Sequence, residues 1–190
     1  TTVGREYEFT EVKVLDPETG EECPVDVPGE ICCRGYNVMK GYYKNPEATA
    51  QVIDANGFMH SGDLGVRDKN GNYRITGRIK DIIIRGGENI SPKEVEDYLY
   101  RMSGVKDVQV VGVASNRYGE DVGAFIIQKE GYQLSTEDVR DYCKGHIAKY
   151  KIPRYVFFVE SFPLTGSGKI QKFRLREMAL ELCEKEGIAI

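Results

Sequence analysis

Seven residues near the end of the chain, Pro163-Leu164-Thr165-Gly166-Ser167-Gly168-Lys169, combine glycines, hydroxyls and one ammonium. A lysine on such a loop can reach a phosphate or carboxylate and neutralise charge developing there. A phosphate-cradling Walker loop needs GxxxxGK followed by Ser or Thr. Here Pro163 stands where the first glycine belongs and Ile170 follows the lysine, so the Walker pattern fails at two positions. The competing possibility is an exposed turn with a solvated lysine, and the loop alone does not separate the two. Asp63, in His60-Ser61-Gly62-Asp63, offers a carboxylate that can accept hydrogen bonds from a ribose diol. Most Gly-Asp pairs are simply turns. Arg78 can add a fork of donors to the same ligand, or pair with Asp81 at the surface. His60 fits a structural histidine better than a general base. The tyrosines of GYYKNP fit packing better than a stacking platform.

The elements that must position these groups meet in the stretch 77–96, GRIKDIIIRGGENISPKEVE. Ile82, Ile83 and Ile84 favour a strand, and Gly86-Gly87 supplies backbone freedom for a tight turn. Ser91 is a good N-cap, Pro92 suits the first helical position and Glu94 can reach back. The order is strand, glycine turn, helix, a seam between two structural units. Before it lie short strands and turns: strands at 9–15 and 30–34, a short helix at 46–52, and a hairpin of 64–67 with 73–76 around an Asn70-Gly71 step. After it, Val95, Tyr98, Leu99 and Met102 fall at helical spacing. Strands are expected at 105–113, 123–128 and 155–159. A helix opens on Ser135-Thr136-Glu137-Asp138 and carries Val139, Tyr142, Cys143, His146 and Ile147 along one side. A last helix is marked by Leu175, Met178, Ala179 and Leu182. Together these make an α+β fold, with no internal repeat or low-complexity segment.

At 190 residues the chain has room for one or two domains on the prior of roughly 150 residues each. Its hydrophobic content of 41% and charged content of 29% are those of a globular protein. The formal charge of −4 argues against nucleic acid or an anionic membrane as the main partner. No apolar run approaches the ~20 residues of a membrane span, and no signal peptide opens the chain. The five cysteines are odd in number and form no CxxC pair, and there are only two histidines. Neither a disulfide framework nor a metal site is expected, and reduced thiols fit a cytoplasmic location.

Five runs, GEICCRGYNVMKGYY, HSGDLG, YRITGRIKD, RGGENISPKEVE and PLTGSGKIQK, occur in order over nearly the whole chain. Each is weak alone, but the set closely resembles the carboxy-terminal part of the adenylate-forming (AMP-binding) enzymes. That family includes acyl-CoA synthetases, adenylation domains of peptide synthetases and firefly-type luciferases. GGENIS and GYYKNPEAT look most like bacterial medium- or long-chain acyl-CoA synthetases.

The resemblance implies a β-rich end of the large domain over 1–79. It also implies a small lid domain over 80–190, with a three-stranded sheet, a strand pair and helices. The implied chemistry is attack of a carboxylate, in this case of a fatty acid, on ATP to give acyl-AMP, followed by thioester formation with CoA. By motif, Asp63 and Arg78 would hold the ribose hydroxyls and Lys169 would bridge ribose, carboxylate and α-phosphate. Lys80 would be the hinge, and Gly86, Gly87 and Glu88 would line the pantetheine tunnel. The loop also fits PxxxxGK, at which family members are acetylated, so acetylation of Lys169 would switch off adenylation. Mg2+ and most of the ATP contacts are expected from segments upstream of Thr1, and so the isolated chain is expected to lack synthetase activity. The same residues would serve an adenylation domain that loads a carrier protein. A binding module without catalysis of its own is the third possibility.

Overall fold

The computed structural model describes residues 2–185 and 187–188, and the chain divides into two compact units, Thr1–Lys80 and Asp81–Ile190. The first is a four-stranded antiparallel meander of β1 (Thr10–Leu15), β2 (Gly29–Gly35), β3 (Met59–Arg67) and β4 (Tyr73–Arg78), in that order. A short helix, α1 (Pro46–Val52), leads into β3, and the Asn45 side chain caps it by accepting from the Ala48 N–H. The HSGD sequence lies within β3 itself. The hairpin strands are longer than the apolar alternation alone indicates, because pairing with β2 and β4 extends them through polar residues. The core of this unit is small: Leu15, Cys32 and Phe58 form its buried cluster. Lys13 and Arg34 place their cations 5.2 and 4.5 Å from the Phe58 ring centroid, so two charged side chains cover the aromatic.

The second unit contains β5 (Ile83–Arg85), β6 (Glu88–Ile90), α2 (Pro92–Leu99), β7 (Val105–Ser115), β8 (Gly119–Gln128), α3 (Thr136–Cys143), β9 (Tyr155–Phe158) and α4 (Lys172–Lys185). β8 pairs antiparallel with β7 and parallel with β9, and the β5–β6 pair joins it at Arg85 opposite Gly119. This is the expected three-stranded sheet plus strand pair. Side chains alternate between its faces with the period of two that a strand imposes. Val108, Val110, Val122, Ala124 and Ile126 pack with Val95, Leu99, Val139 and Cys143 of α2 and α3 on one side. Val111, Val113, Phe125, Tyr155 and Phe157 pack with Leu175, Ala179 and Cys183 of α4 on the other. β8 is therefore buried on both faces, which explains its unbroken apolar run.

Three details differ from the sequence expectations. Between the glycine turn and α2 lies an extra strand, β6, so the order is strand, turn, strand, helix. Ser91 does not cap α2 with its side chain, and the Glu94 carboxylate turns outward to Lys151 at 2.6 and 2.7 Å. Finally, α3 stops at Cys143, and His146 and Ile147 lie beyond it. Gly145 adopts φ +76°, a left-handed conformation that ends a helix. The start of α3 matches expectation: Ser135 accepts from the Asp138 N–H, and Asp138 in turn accepts from the Ser135 N–H. These bonds from Ser135 hold the Asp138 carboxyl below its usual range.

One buried carboxylate ties the second unit together. Asp121, at the start of β8, is fully buried and bonded to Arg85 of β5, to Arg154 at 2.9 Å and to Ser115 of β7 at 3.1 Å. Removing one member of a buried charge cluster leaves the others uncompensated, typically at a cost of ~3–5 kcal/mol. Both arginines keep some solvent access, at 22% and 39% exposure, which places Asp121→Ala near the lower end of that range. Denaturant unfolding of this variant is expected to show a clear loss of stability in the second unit. A change within error of zero would mean that the cluster contributes nothing net.

Candidate functional site

The candidate groups fall into two sets, one in each unit. In the first unit Asp63 and Arg78 face each other across the β3–β4 ladder, and Arg78 Nε lies 2.6 Å from Asp63 Oδ1. Arg78 thus pairs with Asp63. The Arg78 side chain is 52% exposed and that of Asp63 27%. Among the described residues only Oδ1 of the carboxylate is engaged, so Oδ2 and the outer guanidinium nitrogens can receive a vicinal diol.

Behind Asp63 the backbone is held from below. Gly62 adopts φ +71°, and its N–H donates to Oε1 of Glu30 at 2.8 Å. The other Glu30 oxygen lies 2.7 Å from His60 Nδ1, and Glu30 is itself buried. The Ser61 hydroxyl donates to the Ile31 carbonyl at 2.6 Å and accepts from the Asp63 N–H at 3.1 Å. Cys32 Sγ lies 3.4 Å from the same His60 nitrogen. Burial, reinforced by Glu30 and Asp54, pushes the Cys32 thiol up to about 12. His60 therefore has structural partners, as its sequence context indicates. Cys32 is buried and Cys33 only half-buried, in line with alternation along β2.

In the second unit the lysine loop is a closed turn. Leu164 and Ile170 form an antiparallel bridge, Thr165 N–H donates to the Lys169 carbonyl at 2.8 Å, and Lys169 N–H donates to the Thr165 hydroxyl at 3.1 Å. Gly168 has φ +80°, which only glycine adopts readily. Gln171 fastens the base by donating to the Pro163 and Leu164 carbonyls. Lys169 is exposed, and its ammonium has no hydrogen-bond or ion-pair partner among the described residues. A hydrogen-bonded turn thus presents a cation that is unpaired among the described residues.

The same loop runs directly into α4, whose first residue, Lys172, reaches Glu96 of α2 at 2.8 Å and the Val110 carbonyl at 3.3 Å. Glu96 also accepts from the Val110 N–H at 2.9 Å. Glu96 and Lys172 thereby satisfy backbone groups along the free edge of β7. Sequence patterning gave no signal for this link, since Glu96 and Lys172 are ordinary charged positions on two helices.

Gly86 and Gly87 close the two-residue hairpin between β5 and β6 with φ of +58° and +88°, the pair of positive values that a type I′ turn requires. A side chain at Gly87 would meet nothing within 4 Å, whereas one at Gly86 would touch Tyr118 at 3.3 Å. Glu88 is exposed beside the turn. Lys80 is exposed in a single 3₁₀ turn, Ile79–Asp81, and is the last residue of the first unit. Tyr42 and Tyr43 are 50% and 88% exposed, so GYYKNP is a surface feature and not packing.

Among the described residues, one group of His, Cys, Asp and Glu side chains converges closely enough to hold a metal ion: Glu30, Cys32 and His60, with ligand atoms within 4.8 Å of one another. Spacing rules for CxxC motifs do not find it. The available signal is alternation, Glu30 and Cys32 two apart on a strand, combined with a histidine on the strand that pairs with it. No helix among the described residues is long and apolar enough to cross a membrane.

Two family models match in sequence order: AMP-binding enzyme over residues 1–43 and AMP-binding enzyme C-terminal domain over residues 94–169. YngI of Bacillus subtilis (strain 168), an acyl-CoA synthetase by name, is 51% identical over 181 residues, covering 95% of this chain and 33% of its own. The mitochondrial medium-chain acyl-CoA ligase ACSF2 of Rattus norvegicus is 47% identical over 176 residues, covering 93% of this chain and 29% of its own. The crystal structure of ATP-bound MatB from Rhodopseudomonas palustris superposes with a TM-score of 0.91 at 38% identity, covering 95% of this chain and 36% of that one. The chain thus spans about a third of the length of the relatives it matches. With both models in order and relatives at this identity along nearly its whole length, the chain belongs to the family of AMP-binding enzymes.

Proposed function

We propose that this chain is the carboxy-terminal part of an AMP-forming acid–thiol ligase that activates a fatty acid with ATP and transfers it to CoA. Within it, residues 1–79 close the large nucleotide-binding domain and residues 80–190 form the small domain, with Lys80 at the hinge. The observation that carries this proposal is the Lys169 ammonium, unpaired among the described residues on a hydrogen-bonded turn, in a chain that also holds the solvent-accessible, half-buried Asp63–Arg78 pair. The names of the two relatives favour a fatty acid and CoA over a carrier-protein thiol.

The roles follow from charge and shape. Asp63 accepts from the ribose hydroxyls, while Arg78 holds the carboxylate in place and adds donors of its own. Lys169 binds the α-phosphate and the carboxylate together and offsets the charge that builds as they approach, which is chiefly a matter of positioning. Acetylation of Lys169 removes that cation and stops adenylation. In the second half-reaction the Gly86-Gly87 turn, with Glu88 beside it, lines the path of the pantetheine arm. The absence of a side chain lets a narrow ligand pass close to the backbone. Mg2+ takes oxygen ligands, and the thiol and imidazole beside Glu30 do not suit it. No step is therefore assigned to Mg2+ on these residues.

Lys169→Ala in an enzyme containing this chain is expected to lower acyl-adenylate formation by ~10²–10³-fold, the usual effect of losing one preorganised group aimed at developing charge. Unchanged pyrophosphate release by that variant would remove Lys169 from the first step. Gly87→Leu is expected to slow thioester formation from preformed acyl-AMP more than adenylation. Equal losses in both half-reactions would point to a damaged hairpin and not a blocked passage.

A further inference from the structure

Three electron-rich atoms from two paired strands converge on one point in the first unit, within 4.8 Å of one another. Cys32 of β2 stands directly opposite His60 of β3, and Glu30 follows two residues away along β2 on the same side. His60 Nδ1 is 2.7 Å from Glu30 Oε2 and 3.4 Å from Cys32 Sγ. A ring nitrogen has one in-plane position, as donor or as acceptor. If Nδ1 carries a proton and donates it to Glu30, Cys32 Sγ takes at most a weak share of that proton. If the thiol donates to Nδ1, a carboxylate oxygen faces a lone pair at 2.7 Å. A cation placed among the three atoms engages all of them at once.

We propose that Glu30, Cys32 and His60 form a binding site for a divalent ion of borderline softness, zinc in particular. The donor set of thiolate, imidazole and carboxylate is one that zinc accepts and that magnesium or calcium does not. Tetrahedral zinc with ordinary bond lengths separates sulfur and nitrogen ligands by about 3.6 Å and nitrogen and oxygen ligands by about 3.3 Å. The observed Sγ–Nδ1 distance of 3.4 Å is close to the first value. The 2.7 Å contact must open by roughly half an ångström to reach the second, which a small rotation of Glu30 or His60 supplies.

Access is from the histidine side: the His60 side chain is 33% exposed, whereas Cys32 is fully enclosed. Water completes the coordination from that side. Asp54 Oδ2 lies 4.0 Å from Nε2, the nitrogen facing away from the ion, where a carboxylate orients a metal-bound imidazole directly or through water. Because Cys32 binds as thiolate, binding releases a proton and weakens as pH falls.

The test is a Co2+ titration of the 190-residue chain under reducing conditions. Expected are one bound equivalent, a near-ultraviolet sulfur-to-cobalt charge-transfer band, and displacement by Zn2+. The band should vanish in Cys32→Ser and persist in Cys23→Ser and Cys33→Ser. His60→Gln should weaken binding by more than the ~10-fold that loss of an outer-shell partner costs. Circular dichroism checks that each variant folds; since Cys32 is a core residue, His60→Gln decides the matter should Cys32→Ser not fold. Absence of the band at excess Co2+, or a band unchanged in folded Cys32→Ser or in His60→Gln, would overturn the proposal.

Discussion

Everything in the second unit depends on β8 being buried on both faces. A strand in that position exposes no backbone group to water, so both of its edges must be paired along their length. β7 supplies one edge and β9 the other. The parallel pairing with β9 demands a long crossover, and α3 provides it. The remaining helices follow from the same constraint, since two apolar faces need two covers: α2 and α3 on one side, α4 on the other. Even the charged cluster at Asp121 serves this strand, fastening its first residues to β5 and β7 where the hydrophobic layers end. The lysine loop and the glycine hairpin are attachments to a core whose order is fixed by one strand.

The first unit obeys a different economy. Its sheet is an open meander with a small buried cluster, and its precision comes from hydrogen bonds more than from packing. Glu30 illustrates this. A buried carboxylate is costly to desolvate unless its oxygens are occupied, and here one takes a backbone N–H and the other an imidazole. The result is a fixed Gly62 and, one residue on, a carboxylate whose backbone N–H is tied to Ser61. Asp63 is positioned by hydrogen bonds and an ion pair, without a hydrophobic neighbour in that role.

Much of this was legible in the sequence where local chemistry decides the outcome. The Asn70-Gly71 hairpin, the Ser135 capping box, the glycine turn and the apolar run of β8 are each specified within a few residues. Long-range pairing was not legible. β6 is only Glu88-Asn89-Ile90, and those residues become a strand because a hairpin returns them against β5. The Glu30–Cys32–His60 cluster depends on register between segments about thirty residues apart, including a bulge that no composition encodes. Asp121 reads as one more surface acid between glutamate and valine until the two arginines arrive from β5 and from the approach to β9.

The Glu96–Lys172 link carries a mechanical implication. Lys172 is three residues beyond Lys169, and Glu96 sits on the helix that follows the glycine hairpin. The bond spans 76 positions of sequence and ends on the edge of β7, so hairpin, helix, strand and loop are braced to one frame. Such a frame cannot bring its lysine forward while leaving its glycines behind. On the proposed roles, a phosphate-facing tool and a thiol-facing tool share one handle. The enzyme would then change tools by turning the handle, with a stroke set by the frame and not by the softness of either loop.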